Sequence, residues 1–178
     1  MAEGRVITMK CPDCGHNNIT GIDECAECGS SLALFDPQGN EVERSISSHS
    51  VAVLCPRDPV CVHGTMLVRE VIDRMSQQKI GCVLVLDSGK LAGIFTERDV
   101  LNKISPSMSS LGDQVRTHMT RAPLTITKRD SIGYALQAMD LGGYRHLPVV
   151  SKEGEPRGII SVRDILRFIC VKFAQSRD

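Results

Sequence analysis

Two stretches of this sequence occur twice, and the repetition decides the architecture. Pro59 to Met75 (PVCVHGTMLVREVIDRM) matches Pro123 to Met139 (PLTITKRDSIGYALQAM). Gly93 to Ile104 (GIFTERDVLNKI) matches Gly158 to Ile169 (GIISVRDILRFI), and the spacing of this second pair is longer by a single position. The added residue falls in a turn, where Asp87-Ser88-Gly89-Lys90 faces the longer Ser151-Lys152-Glu153-Gly154-Glu155. A chain that repeats at such a period builds its core from copies of one unit.

Each copy has the same order of elements. A short extended piece follows a proline, Cys61-Val62 in one copy and Leu124-Thr125-Ile126 in the other. A helix comes next. Its apolar positions, Val68, Val71, Ile72 and Met75 or Ile132, Ala135, Leu136 and Met139, keep the spacing of one helical face. A buried strand follows, Val83 to Leu86 or Leu147 to Val150, and a turn leads to a third strand, Leu91 to Thr96 or Gly158 to Ser161. A last amphipathic helix starts near Asp99 or Asp164. The order β-α-β-β-α, taken twice, gives an α/β fold with helices packed on small sheets.

These repeats resemble a pair of cystathionine-β-synthase (CBS) domains, the arrangement called a Bateman module. The resemblance covers roughly residues 51 to 173 and rests on three features. They are the repeat period, the Gly-apolar-apolar-Thr/Ser-x-x-Asp ending of both copies, and Arg145-His146-Leu147-Pro148-Val149-Val150 in the second. The first copy departs from the pattern, with Gly81-Cys82-Val83-Leu84 where the second has Arg145-His146-Leu147-Pro148.

Ahead of the repeats lies a cysteine-rich head. Cys11-x-x-Cys14 and Cys25-x-x-Cys28 are separated by ten residues. Two intervening residues let both sulfurs of a pair reach one ion. Gly15 and Gly29, just after each pair, let the backbone fold back toward the sulfurs. Four soft thiolates suit tetrahedral Zn²⁺ in a closed structural site. Iron in the same geometry, or disulfides and free thiols, are the alternatives. The head resembles zinc ribbons, and its second knuckle is also similar to rubredoxin, although Phe35 is its one aromatic. His16 reads as a solvated neighbour of the site. So small a unit buries too little core to fold by itself, so a metal would supply much of its stability.

The expected division is a metal ribbon over 1–35, a linker over 36–50, and repeats over 51–111 and 112–178. The linker reading comes from Asp36-Pro37-Gln38-Gly39-Asn40 and from Ser45-Ile46-Ser47-Ser48-His49-Ser50. Among 178 residues, 21 basic and 21 acidic side chains cancel, which disfavours a strongly basic nucleic-acid surface. Aromatics make up 3% of the chain, so few side chains could stack on bases. No run approaches the ~20 apolar residues of a membrane span, and Met1 to Lys10 has no apolar signal core. A cytoplasmic setting is expected, where paired cysteines favour metal over disulfides.

The duplicated ending carries the candidate chemistry. Thr96 and Asp99, or Ser161 and Asp164, stand where a strand gives way to a helix, so each pair could simply cap that helix. A carboxylate there could instead accept both hydroxyls of a ribose. The CBS resemblance implies the second use, for an adenine nucleotide such as AMP or ATP, or another adenosyl ligand, in the cleft between repeats. It implies one site with Thr96 and Asp99 on ribose and with Arg145, His146 and Arg163 on phosphate. A second would pair Ser161 and Asp164 with Gly81, Cys82 and Arg98. Cys61 and Val62, or nearby backbone, would line one adenine pocket, Thr125 and Ile126 the other. Since Arg145-His146 falls to the Asp99 site, that site is expected to prefer the phosphorylated ligand.

No nucleophile–base pair, open metal site or Gly-rich phosphate loop stands out, so a regulatory protein is expected rather than an enzyme. The alternative is a metal-stabilised scaffold, or a nucleic-acid-associated protein, whose CBS pair binds no nucleotide. Cys55, Cys61, Cys82 and Cys170 lack ligand spacing and read as core thiols. Met66, Met75, Met119 and Met139 read as packing, and His63 and His118 as surface residues. The resemblance implies a homodimer, for which Ile165, Leu166, Phe168, Ile169, Val171 and Phe173 offer an apolar run. A further protein partner could contact the head.

Overall fold

A computed structural model describes residues 8–11, 14–19, 22–30, 32, 41–104 and 108–175. Phe35 and the turn Asp36 to Asn40 lie outside the described residues. The chain forms two compact units. One draws on Met1–Cys55, Lys128–Leu147 and Ile160–Asp178, the other on Pro56–Thr127 and Pro148–Ile159.

The first unit begins with a small antiparallel pair, β1 (Thr8–Lys10) and β2 (Asn17–Ile19), which frames the cysteine head. Residues Glu41–Ser48 then form a helix, α1, inside the segment expected to be a linker. The reason is burial. Ile46 is a core residue, and α1 packs on two later helices, α4 (Ile132–Gly142) and α5 (Val162–Gln175). Among serines, Ile46 is a buried apolar position, and the packing of this helix is a case of tertiary contacts overriding composition.

Helix α4 is buried far beyond the expected stripe. Ile132, Ala135 and Met139 are core residues, as the spacing requires, but Tyr134, Gln137 and Ala138 are buried as well. With α1 and α5 both against it, α4 is covered on more than one side. Its start is fixed by Ser131, whose Oγ accepts from the Tyr134 N–H at 3.0 Å. Gly143 ends it at φ 61°, a left-handed position that suits glycine. In α5, Ile165 is fully buried, Phe168 and Ile169 are half-buried, and Leu166, Val171 and Phe173 are exposed. The expected apolar run is thus split between core and surface.

The second unit is built on a four-stranded sheet in the order β3-β4-β5-β6, with β3 Cys61–His63, β4 Cys82–Asp87, β5 Lys90–Thr96 and β6 Thr120–Arg121. β3 runs parallel to β4; the other neighbours are antiparallel. Helix α2 (Val68–Gln78) is the crossover that a parallel β3–β4 pair needs. Val68, Val71 and Met75 face a core made with Val62, Val83, Val85, Phe95, Ile104, Val115 and Met119, and Met66 packs against it. β5 ends in a short helical turn, α3 (Glu97–Asp99), followed by a π-helical segment, Val100–Ile104.

The second repeat supplies β7 (His146–Val150) and β8 (Pro156–Ser161), hydrogen-bonded neighbours joined across the turn 151–155. Leu124-Thr125-Ile126 forms no strand of its own, only a parallel bridge from Ile126 to Val149. That bridge repeats the Val62 to Val85 pairing of the first copy. Of the lone cysteines, Cys82 is buried, Cys61 is half-buried, and Cys55 and Cys170 are exposed, so the core-thiol reading applies to one of the four.

Candidate functional site

The cysteine head is made of two knuckles of identical pattern. Cys11 N–H donates to the His16 carbonyl at 2.7 Å, and Cys25 N–H to the Ser30 carbonyl at 2.8 Å. Gly15 and Gly29 then donate back to the carbonyls of Cys11 and Cys25, each at 2.9 Å. Both glycines have positive φ, 76° and 71°, so the sequence reading of their role agrees with the backbone.

The four sulfurs lie within 4.8 Å of one another, with Cys11 to Cys28 and Cys14 to Cys25 each at 3.6 Å. A tetrahedron of thiolates at ~2.3 Å from zinc has edges of ~3.8 Å. The donor set therefore fits one tetrahedral ion. At Cys25, burial pushes the thiol up, but the N–H groups of Cys28 and Glu27, the Asn18 amide and Cys14 outweigh it and bring it to about 6. At Cys14 the His16 N–H pulls down, yet burial and the sulfurs of Cys28, Cys25 and Cys11 push it to about 12. Thiols sharing one small volume lose their protons in turn, and of these two Cys25 ionises before Cys14.

Asn18 belongs to this site and escaped the sequence reading. It is buried, its Nδ2 donates to the Cys25 sulfur at 3.4 Å and to the His16 carbonyl at 3.2 Å, and its Oδ1 accepts from Ala26 N–H at 3.0 Å. One amide thus ties the first knuckle to the second, orienting a candidate ligand. The only signal in the sequence is an asparagine in a strand, where asparagine is disfavoured. Tyr134 of α4 is near the head too. Its hydroxyl is pushed up by burial first, then by Asp130 and Cys11.

The two Thr/Ser-x-x-Asp turns are built alike. Asp99 Oδ2 accepts from Thr96 N–H at 2.9 Å and from Thr96 Oγ1 at 2.7 Å. Asp164 Oδ2 accepts from Ser161 N–H at 2.8 Å and from Ser161 Oγ at 2.7 Å. The capping geometry is therefore realised in both copies. Glu97 N–H donates to the Gly81 carbonyl and Val162 N–H to the Arg145 carbonyl, both at 3.0 Å. Each turn thus sits beside the residues that open the preceding strand of its own copy. Gly81 and Cys82 flank the Thr96 turn, where Cys82 faces Thr96 in register, and the Arg145 backbone flanks the Ser161 turn. Cys82 is pushed up to about 12 by burial and by the Glu97 carboxylate.

At Asp99 the outer carboxylate oxygen is engaged as well. Asp99 is buried, and its Oδ1 lies 2.6 Å from Lys103 Nζ and accepts from Thr120 Oγ1 at 3.4 Å. Asp164 is half-buried, and Arg145, Arg163 and Arg98 are exposed. The expected preference of the Asp99 turn for a phosphorylated ligand counts only the cations of the other copy. Lys103, a cation of the same copy, already stands on that carboxylate. Of the expected adenine contacts, Val62 and Ile126 are core residues with 4% and 1% exposure. Alternation along a strand sends these side chains inward and leaves Cys61 and Thr125, both half-buried, on the other face.

The motif glycines have a packing reason. A Cβ on Gly93 would lie 2.5 Å from Met119 Sδ and 2.7 Å from the Thr120 carbonyl oxygen. One on Gly158 would lie 2.7 Å from Pro56 Cβ. In both copies, then, the glycine admits the backbone that leads into the other copy.

Comparison with known proteins agrees with this geometry. The family model described as CBS domain matches residues 51–106 and 114–171. An uncharacterized 17.7 kDa protein of Acidianus ambivalens is 31% identical over 107 residues, 60% of this chain and 64% of its own. A CBS-domain-containing protein of Agrobacterium tumefaciens aligns at TM-score 0.61 with 30% identity, covering 66% of this chain and 94% of that one. A CBS domain protein of Pyrobaculum aerophilum, complexed with AMP, aligns at TM-score 0.62 with 25% identity over 71% of this chain and 98% of that one. The chain spans about two-thirds or less of the curated relatives it matches, 64% of the Acidianus protein and 26% of one from Methanocaldococcus jannaschii. With a family match in both copies and the same turn closing each, the chain belongs to the CBS-domain family.

Proposed function

We propose that this protein is regulatory: its CBS pair binds an adenine nucleotide or related adenosyl ligand, and its head holds a structural Zn²⁺. The observation that carries the reading is the duplicated turn, in which a carboxylate is held by its own Ser or Thr where a strand gives way to a helix. The AMP bound to the Pyrobaculum relative supports the ligand class. Ser161 and Asp164 would take the ribose hydroxyls, and Arg145, His146 and Arg163 are candidate cations for a phosphate. Binding would act by favouring one conformation or association state over another. Leu166, Val171 and Phe173, exposed on α5, support self-association as a homodimer.

In the head, Cys11, Cys14, Cys25 and Cys28 would ligate the ion and Asn18 would orient Cys25. Zinc supplies cross-linking without redox chemistry, which matches a closed four-thiolate set; iron fits the same sulfurs. A role as protein contact suits the head better than nucleic-acid binding, given its few basic residues.

Thermal melting in the presence of AMP, ATP, NAD and S-adenosylmethionine tests the nucleotide reading, because a ligand of the native state raises the midpoint by mass action. A rise with at least one adenine ligand is expected; none with any of them would refute it. Elemental analysis of protein purified without added metal should give about one zinc per chain, and iron with a thiolate absorption band would replace it. A second reading, a metal-stabilised scaffold without nucleotide, is favoured by the Lys103–Asp99 pair and is the reading that survives a null melting screen.

A further inference from the structure

The leader ahead of each copy docks on the opposite copy. Ile132 N–H, the first donor of α4, goes to the His49 carbonyl at 2.9 Å. Val51 and Ala52 N–H go to the carbonyls of Asp130 and Lys128 at 2.8 and 3.1 Å. The other unit repeats the pattern. Val68 N–H, the first donor of α2, goes to the Asp113 carbonyl at 2.9 Å. Val115 and Arg116 N–H go to the carbonyls of Met66 and Gly64 at 2.9 and 3.1 Å. His49 and Asp113 each stand ten residues ahead of their matched prolines, Pro59 and Pro123, so the two sets of bonds are equivalent. Val51 and Val115, matched in the same way, are both fully buried. Each leader thus supplies an acceptor for an N–H that a helix start leaves unpaired.

What lies ahead of the two leaders differs. The second continues from the first copy, whereas the first carries α1 and, before it, the cysteine head. Neither of these orders itself alone. An isolated helix shorter than ~12–15 residues is marginal in water, and α1 has 8. It buries Ile46 and packs on α4 and α5, and His49, just after it, sets its ring 5.4 Å from that of Phe168 in α5. The head, as a small four-thiolate unit, would take its order from the ion. Tyr134, on the first turn of α4, is buried, and after burial and Asp130 the Cys11 sulfur also acts on its hydroxyl. Head, α1, α4 and α5 all belong to one compact unit.

We infer that the ion of the head controls the order of the second copy's helices. Head, leader and the start of α4 open and close as one cooperative unit, so loading the four cysteines tightens α4 and leaves the four-stranded unit unaffected. By linkage, the docked leader tightens the ion to the same extent. This rests on the metal reading above and adds what the ion acts on beyond its own ligands.

Hydrogen exchange of the full chain, loaded with Zn²⁺ and then stripped by a chelator, tests it. Stripping should speed exchange at least about tenfold at the amides of Val51, Ile132 and Ala135, and less than about threefold at Val71 and Leu84 in the other unit. Loss of protection confined to the head, or an equal loss in both units, would overturn the inference. The converse arm reads the ion. Ile46→Ala leaves the four cysteines in place and should weaken Zn²⁺ at least about fivefold in competition with a chromogenic chelator. Val71→Ala, a truncation in the core of the other unit, should change it less than about twofold. An Ile46→Ala protein that folds and holds Zn²⁺ as tightly as the native chain overturns the inference as well. If the stripped protein aggregates, the converse arm decides; if Ile46→Ala does not fold, the exchange arm decides. A native chain that takes up no Zn²⁺ refutes the metal reading and this inference with it, a pattern distinct from the others.

Discussion

Replacing Gly93 with alanine puts one methyl group into a tight backbone approach in the second unit. The added Cβ would meet Met119 Sδ at 2.5 Å, the Thr120 carbonyl oxygen at 2.7 Å and Met119 Cγ at 2.9 Å. Comfortable contacts between heavy atoms are ~3.5–4.0 Å, so at least two groups must move by about 1 Å. The methionine tail can shift, although it sits in the core. The carbonyl belongs to β6, which is paired to β5 through Gly93↔Arg121 and Ile94↔Thr120, so moving it opens the sheet edge. Overpacking of this kind costs about 1–3 kcal/mol. Gly93 has negative φ, so alanine would gain some ~0.4–1 kcal/mol from a stiffer unfolded chain. A net loss of about 1–2 kcal/mol remains, which is about 2–8 °C in melting midpoint for a chain of this size. Gly112→Ala is the control. Its Cβ would meet nothing nearer than Arg69 Nη2 at 3.7 Å, so its midpoint should stay or rise. Circular dichroism melts of the three proteins are sufficient. A Gly93→Ala midpoint equal to or above that of the native chain would refute the steric account of the motif glycine.

Phe95→Ala empties a fully buried site and should cost about 3–5 kcal/mol, read as a lower urea midpoint. In the head, Asn18→Ala leaves Ala26 N–H without its acceptor and Cys25 with one donor fewer. It should speed metal transfer to a chromogenic chelator, and an unchanged rate would remove Asn18 from the site. The Cys82 thiol ionises near 9 when unfolded and near 12 when folded. The unfolded chain therefore loses this proton first, so the contribution of Cys82 is complete below about pH 9 and is lost as pH rises toward 12. The stability gap between the native protein and Cys82→Ala should narrow in urea titrations as pH climbs above about 9, and a gap that stays constant there would refute the linkage.

The duplication made the fold readable. Val68, Val71 and Met75, and Ile132, Ala135 and Met139, are core residues in both copies because helical spacing and burial agree there. The four cysteines were equally legible, since their spacing alone implies convergence. What the sequence hid depends on contacts far apart in the chain. Helix α1 buries Ile46 and packs against α4 and α5, which lie beyond the whole first repeat. Asn18 acquires its role only when two knuckles face each other. The character of the Asp99 turn is set by Lys103 and Thr120, residues that local capping logic does not consult. That logic was correct for both turns and could not rank them.

The interleaving of the two units also bears on how the chain can be made. Unit two is not complete until residue 159 has been synthesised, and the last helix of unit one runs to Gln175. At ~5–20 residues per second, the thiols of Cys11 to Cys28 wait many seconds for the helices of their own unit. During that interval the proposed ion, rather than anything C-terminal to the head, would keep its sulfurs in order. If the head holds the proposed ion, its early capture would protect four vicinal thiols from oxidation on the ribosome, a task in biogenesis beside the structural one.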